Sequence, residues 1–177
     1  MQILAISGSA RRQSTNTALL RALSALAPEG VEIPVIHDLH RLPVFSPDLE
    51  GALTPAPVTG FMERIARADG IVISSPEYVH AIPGGLKNAI DWMVSRDEII
   101  GKPVALLHAS HRGDDVLADL RRVLGTVTDR FEEAIFVRVP LISLSPDEVA
   151  EVLRRPEHAE CLRAFLSRFV GAIRRGA

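Results

Sequence analysis

Three short apolar runs each end on a small polar residue and are each followed by a helical pattern. They are "ILAIS" at 3–7, "GIVISS" at 70–75 and "PVALLHAS" at 103–110. A run apolar at every position reads as a strand buried on both faces, because a strand with one wet face alternates. The segments between have the helical period. Residues 16–27 put Leu19, Leu20, Leu23, Leu26 and Ala27 on one face before "PEG" breaks them. Residues 58–68, 84–95 and 115–125 read alike. The helix over 84–95 turns Leu86, Ala89, Ile90, Met93 and Val94 to the core and leaves Trp92 at its margin. Two further strands are predicted at 31–36 and 133–139. Pro34 inside the first cannot donate to a ladder, so that strand should be an edge or irregular. Residues 147–174 read as helical with a break at Pro156. Residues 38–57 carry four prolines and little periodicity, which predicts a long ordered loop. Five strands with helices between them make an α/β chain. The connections suit right-handed crossovers, hence a five-stranded parallel sheet with helices on both faces. Ligands of such sheets bind beyond the strands' carboxyl ends, which here begin at Ser7, Ser74 and His108.

The chain's 177 residues, 47% of them hydrophobic, suffice for one domain over 1–177 with a core that needs no disulfide. The net charge of −2 gives no long-range pull toward nucleic acid. Cys161 stands alone, so neither a disulfide nor a thiolate metal cluster can form within the chain. No apolar run is long enough to span a membrane. No basic leader precedes "MQILAISGSA". The expectation is a cytoplasmic protein.

The stretch after the first strand, "SGSARRQSTN" at 7–16, supplies one glycine, three serines, a threonine, an asparagine and two arginines, and runs into a helix. A helix N-terminus offers free N–H groups and partial positive charge, and hydroxyls with arginine complete a phosphate site. It lacks the Gly-Lys-Ser/Thr end of a Walker loop and the three spaced glycines of a dinucleotide fingerprint. It also has no cysteine nucleophile. A terminal mononucleotide phosphate remains. Capping by Ser14 or Thr15 would explain one hydroxyl but not the cluster.

A second stretch, "SPEYVHAIPGGLKNAIDWMV" at 75–94, opens as a loop and closes as a helix. Pro76 and Pro83 stiffen its turn, Gly84 and Gly85 let the helix start close to something flat, and Tyr78 and His80 offer planar faces. A rigid edge lined by backbone groups suits a large heteroaromatic ring. Lys87 and Asp91 are placed as an i,i+4 pair.

Together these stretches resemble the NADPH-dependent FMN reductases of the flavodoxin-like superfamily, which include chromate, quinone and azo-dye reductases. Gly8, Ser9, Arg11, Ser14 and Asn16 fit its first motif. Pro76, Glu77, Tyr78, Pro83, Gly84 and Leu86 through Trp92 fit its second, and "DLHRLPVFSPD" at 38–48 looks like its Leu-Pro loop. The resemblance implies a flavodoxin-like three-layer sandwich. It also implies FMN, with its phosphate held by Ser9, Arg11, Ser14, Thr15, Asn16 and Thr17 and its ring bordered by Pro76, Glu77, Tyr78 and Val79. NADPH or NADH would be the co-substrate, delivering hydride through FMN to free flavin, a quinone or another small electrophile. No catalytic acid, base or metal is implied. Val79 stands where many members carry Asn. "HASHRGDD" at 108–115 stands where many carry Gly-Gly-x-Arg, and Ser110 and Arg112 are the residues there that could line the flavin or meet the nicotinamide nucleotide. The alternative is a non-catalytic flavin-binding electron carrier. Against it stand the modest charge and an aromatic content of 5%.

His108 with His111, and His37 with His40, have too few partners for a metal site. The apolar residues of 38–57, with Trp92, suggest a patch that a second subunit covers. The resemblance points the same way, to a homodimer or tetramer with Phe45 near the partner's active-site mouth. The other possibility is a monomer whose loop folds back over its own sheet.

Overall fold

The computed structural model describes residues 1–94, 96–141 and 143–176. Its three central strands, β1 (Ile3–Ser7), β3 (Gly70–Ser74) and β4 (Val104–His108), are buried at every position, as unbroken apolar runs require. With β2 (Val35–Ile36) and β5 (Phe131–Arg138) outside them, the order is β2-β1-β3-β4-β5, and every pairing is parallel. This is the doubly wound, flavodoxin-like order, in which the chain reverses direction between β1 and β3.

Alternate residues of each strand serve opposite layers. Leu4, Ile6, Ile71, Ile73 and Leu106 face a core shared with α2 (Ala56–Arg67), α3 (Gly84–Val94) and α4 (Asp114–Val127). Ile3, Ala5, Val72, Ala105 and Leu107 face α1 (Thr15–Ala25), α5 (Pro146–Arg154) and α6 (Pro156–Arg174). The expected three-layer sandwich is therefore present, with the predicted break at Pro156.

Several boundaries moved. β2 is two residues long and lies at the sheet edge. Pro34 cannot donate, but its carbonyl accepts from Ala5 N–H at 2.9 Å, so the irregular strand still seats. β5 begins at Phe131, and its register slips between Val104 and Leu106. The loop at 38–57 holds three single turns of 3₁₀ helix, at 39–41, 47–49 and 51–53, and α2 already starts at Ala56. Residue 95, the expected end of the third helix, lies outside the described residues.

Two expectations on α3 are corrected. Val94, placed on the core face, is 64% exposed, whereas Trp92, placed at the margin, is fully buried. The cause is the Leu-Pro loop, which lies over α3 and makes an inner face where periodicity alone would leave an outer one. Phe45 meets the Trp92 ring edge-on, centroids 5.0 Å apart, and Leu42, Phe45 and Leu49 pack against the core. Trp92 is thus not part of an exposed patch, and Phe45 is turned toward its own helix.

Candidate functional site

The loop from β1 into α1 is held by hydroxyls at both its ends. Ser14 is the N-cap, and its Oγ accepts from Thr17 N–H at 3.3 Å. Beneath it the buried Ser7 and Thr17 hydroxyls lie 2.8 Å apart. Ser9 Oγ accepts from Arg11 N–H at 3.2 Å, keeping its own hydrogen to donate. Asn16 commits its carbonyl oxygen to the Ser74 hydroxyl at 2.9 Å, across to the end of β3, and keeps its amide N–H groups. The first turn of α1 carries no acidic residue, while Arg11 and Arg12 are exposed beside it. Free N–H groups, hydroxyl hydrogens and guanidinium, with no acidic residue in the first turn of α1, are donors of the kind that suit a dianionic phosphate.

Gly8 brings this loop against the next. A Cβ there would lie 2.4 Å from Ser75 Oγ and 2.8 Å from Leu86, so only glycine allows the approach. Its N–H donates to the Ser74 carbonyl at 2.9 Å. The loop after β3 then makes a tight hairpin. Tyr78 and Ala81 exchange backbone hydrogen bonds at 3.2 and 3.1 Å, and the two residues between them, Val79 and His80, have φ of 53° and 56°. Positive φ at both central positions is the signature of a type I′ turn, and it is strained for valine. The stretch's backbone donors are thus partly spent: those of Tyr78 and Ala81 pair together. Among the described residues the N–H groups of Val79 and His80, at the exposed tip, find no partner.

Glu77 acts differently from a ligand-facing side chain. Its Oε2 accepts from Val116 N–H at 3.0 Å, capping α4, whose N-cap Gly113 has no side chain to do so. His80 Nδ1 lies 2.6 Å from Asp115 on the same helix, and Asp115, then Glu77, raises its pKa. The three side chains bring ligand atoms within 4.8 Å of one another. They tie the β3 loop to the α4 N-terminus, a link the sequence could not show because the partners are 35 and 39 residues apart.

The loop after β4 is pinned from within. His108 is buried, and its Nε2 lies 2.5 Å from the Arg112 carbonyl. Ser110 Oγ accepts from Arg112 N–H at 2.9 Å. Arg112 and His111 are exposed, and Ser110 is half-buried. Arg138 pairs with Asp114 at 2.5 Å and holds that carboxyl below its usual range.

The second stretch's helix also has an unforeseen role. Asn88 Oδ1 accepts from Phe45 N–H at 2.8 Å and Nδ2 donates to the Pro43 carbonyl at 3.0 Å; Trp92 Nε1 donates to the same carbonyl at 2.9 Å. Arg96, beyond the end of α3, donates to Thr54 at 2.8 Å. The i,i+4 spacing of Asn88 and Trp92 on α3 is the signal that could have located this clasp. The expected Lys87–Asp91 pair is present.

The structure thus brings the three strand-end loops together. Ser9, Ser14, Asn16 and Thr17 are buried, Thr15, Pro76 and Glu77 half-buried, and Arg11, Tyr78 and Val79 exposed. Ser7, Ser74, Asn88 and His108 are the bracing side chains whose bonds sequence reasoning missed.

Known proteins are similar to this chain in sequence and fold. The profile of the family described as NADPH-dependent FMN reductase matches residues 1–131. A quinone reductase of Escherichia coli strain K12 is 37% identical over 115 residues, covering 62% of this chain and 60% of that protein. An NAD(P)H-dependent FMN reductase of Pseudomonas aeruginosa is 38% identical over 112 residues, covering 62% and 60%. The chain therefore spans about three-fifths of the length of these curated relatives. Among solved structures, the flavoenzyme FerB of Paracoccus denitrificans, an NAD(P)H:(acceptor) oxidoreductase, superposes with a TM-score of 0.76 at 26% identity, covering 99% of this chain and 98% of that one. The match over residues 1–131 is most of the chain, and the chain belongs to the NADPH-dependent FMN reductase family.

Proposed function

We propose that the protein is an FMN-dependent NAD(P)H oxidoreductase that reduces a quinone, free flavin or another small electrophile. The observation that carries this reading is the acid-free cradle of hydroxyls and helix N–H groups between Ser7 and Thr17, locked to the end of β3 by the Ser74–Asn16 bond. The names of the E. coli and P. denitrificans relatives support the acceptor class.

In this reading Ser9, Arg11, Ser14, Thr15 and Asn16 would hold the FMN phosphate, and Thr17 braces them through Ser7. Pro76 to Val79 would border the ring, and the N–H groups of Val79 and His80 would offer it hydrogen-bond donors. Ser110 and Arg112, outward on the β4 loop, meet the nicotinamide nucleotide. When bound, FMN supplies the hydride and electron chemistry, and the protein supplies orientation and electrostatics. Neither a catalytic acid nor a metal has a part in it. Residues 1–177 act as one domain. Supporting this, α6 closes on β3 so tightly that a Cβ at Gly70 would lie 2.8 Å from Ile173.

The test is direct. The purified protein with added FMN should show a perturbed flavin spectrum and oxidise NADH or NADPH when a quinone is present. Failure of both would overturn the reading. The chain also works as a homodimer in this reading, with a cytoplasmic role. Val44 on the Leu-Pro loop and Leu53 just after it are 81% and 68% exposed, and Val94 and Ile100 are 64% and 63% exposed. Exposed apolar side chains of this kind mark interfaces when they are contiguous. Light scattering at micromolar concentration should find a dimer. An active species of 19.3 kDa would overturn it.

A further inference from the structure

His108 ends β4 and is 1% exposed, yet nothing in the flavin reading uses it. Its Nε2 lies 2.5 Å from the Arg112 carbonyl. A carbonyl cannot donate, so Nε2 carries the hydrogen, and in the neutral ring Nδ1 is a bare lone pair. That Nδ1 is buried and has no hydrogen-bond partner among the described residues. The ring also forms a floor. Gly113, at φ of +101°, lies so close that a Cβ would be 2.5 Å from Nε2, so the glycine and the imidazole fit only each other. Arg138 takes the neighbouring carbonyl, donating to His111 O at 3.3 Å. Two successive carbonyls, of His111 and Arg112, are thus both held by side chains, that of Arg112 by the buried imidazole, while the His111 and Arg112 side chains are exposed. The loop that departs from the family's glycine-rich pattern is shaped from beneath by one imidazole.

We propose that His108 is a positioning residue for the reaction, which as a neutral Nε2–H imidazole fixes the Ala109–Gly113 loop in its ligand-facing shape. The proposal rests on the flavin reading of the strand-end cleft. The groups facing the ring come from every side. Arg138 on β5 and burial oppose a charge on it, burial more strongly. Arg112 O, the Ser75 backbone and Glu77 favour one, and Asp114 at the start of α4 feels it. Burial wins, and the ring's pKa lies below the ordinary histidine value of 6.5. Protonation places a charge in a buried site between the β3 and β4 loops, at a desolvation cost that the Arg112 and Ser75 backbone groups do not offset. The loop must then yield, and FMN binding weakens as pH falls below the ordinary imidazole range.

The experiment uses the apoprotein, with FMN titrated by fluorescence quenching between pH 5 and 8. Wild type is compared with H108Q, which keeps a donor within reach of Arg112 O but does not titrate, and with H108L, which has neither property. The FMN phosphate titrates in the same window, near pH 6 for a phosphate monoester, so the quantity read is the difference between wild type and H108Q. At pH 8, H108L should bind FMN about tenfold more weakly, the equivalent of one buried hydrogen bond at roughly 1.4 kcal/mol, and H108Q should rescue most of that loss. Below pH 6.5 wild type should lose affinity faster than H108Q. Nitrogen-15 shifts of the apoprotein imidazole should show hydrogen on Nε2 only. An Nδ1–H tautomer, a pH profile unchanged in H108Q, or wild-type affinity in H108L would each overturn the role of His108 while leaving the flavin reading intact. No FMN binding by wild type at any pH would overturn the flavin reading and this role with it.

Discussion

Asn88→Ala is the substitution whose cost can be worked most closely from the structure. Asn88 accepts from Phe45 N–H at 2.8 Å and donates to Pro43 O at 3.0 Å. After truncation Pro43 O keeps its second donor, Trp92 Nε1 at 2.9 Å, but Phe45 N–H keeps none. A net hydrogen bond contributes about 1 kcal/mol, and an orphaned buried donor costs about 1–3 kcal/mol. The site is half-buried, so the lower part of that range applies, and alanine returns roughly half a kcal/mol of helix propensity. The expected loss is about 1.5–2.5 kcal/mol, read as a lowered urea midpoint at unchanged slope. Trp92→Phe removes the other donor to Pro43 O while keeping a ring against Phe45. Each single variant leaves that carbonyl one donor and the double variant leaves it none, so the double should cost more than the sum by about 0.5–1 kcal/mol. A shift under about 0.5 kcal/mol for Asn88→Ala would show that the clasp is not what holds the Leu-Pro loop. Strict additivity would refute the shared carbonyl.

Four further outcomes can be checked. Arg11→Ala with Ser14→Ala should weaken FMN binding by several kcal/mol, at about 1.5–3 kcal/mol per charge-assisted bond, with the circular dichroism spectrum unchanged; unaltered affinity removes the β1 loop from the site. Tyr78→Phe should change turnover more than FMN affinity, which stopped-flow and equilibrium titration separate. Val79→Asn should raise stability by about 0.5–1 kcal/mol, because a left-handed residue costs roughly 1–2 kcal/mol for most side chains and less for asparagine; calorimetry showing a loss would mean that the turn relaxes in solution. The His80 pKa is raised by Asp115 and then Glu77, so its stabilising pairing is fully present below pH 6.5 and lost as pH rises through the raised value. The imidazole's proton-resonance midpoint should therefore lie above 6.5 in wild type and fall in Asp115→Asn.

The layers of this fold were legible because burial writes itself into local pattern. β1, β3 and β4 are apolar at every position, and α1 and α3 repeat at the helical period, so their existence needed no tertiary knowledge. What failed did so where a distant segment changed which face was inside. Trp92 sits off the core stripe of α3, yet it is fully buried because Phe45 and Pro43, some 47–49 residues away, lie over it. Val94 lies on the expected stripe but is 64% exposed. Periodicity reports the angle between residues on one helix and not the number of elements that surround it.

For the site the division is chemical. Residue types placed the strand-end loops where the structure has them, since hydroxyls before a helix and prolines after a strand have few other uses. They did not say which side chains face a ligand and which hold the loops in register. Four joints do the latter, each from one segment to another or across one loop: Asn16 with Ser74, Glu77 with Val116 N–H, Asn88 with Phe45 N–H, and His108 with Arg112 O. Three of the four end on backbone, which any residue supplies, so no complementary residue marks them in the sequence. Glu77 shows the consequence. It lies in the stretch that reads as a flavin edge, yet its carboxylate caps α4 and so fixes where the β3 and β4 loops stand relative to each other. A brace of this kind affects every ligand of the cleft together. Glu77→Gln, which keeps an acceptor for Val116 N–H, should therefore leave the ratio of NADPH to quinone affinity unchanged, while Glu77→Ala should weaken both in parallel. A selective loss of one substrate in Glu77→Ala would show instead that the carboxylate touches that substrate.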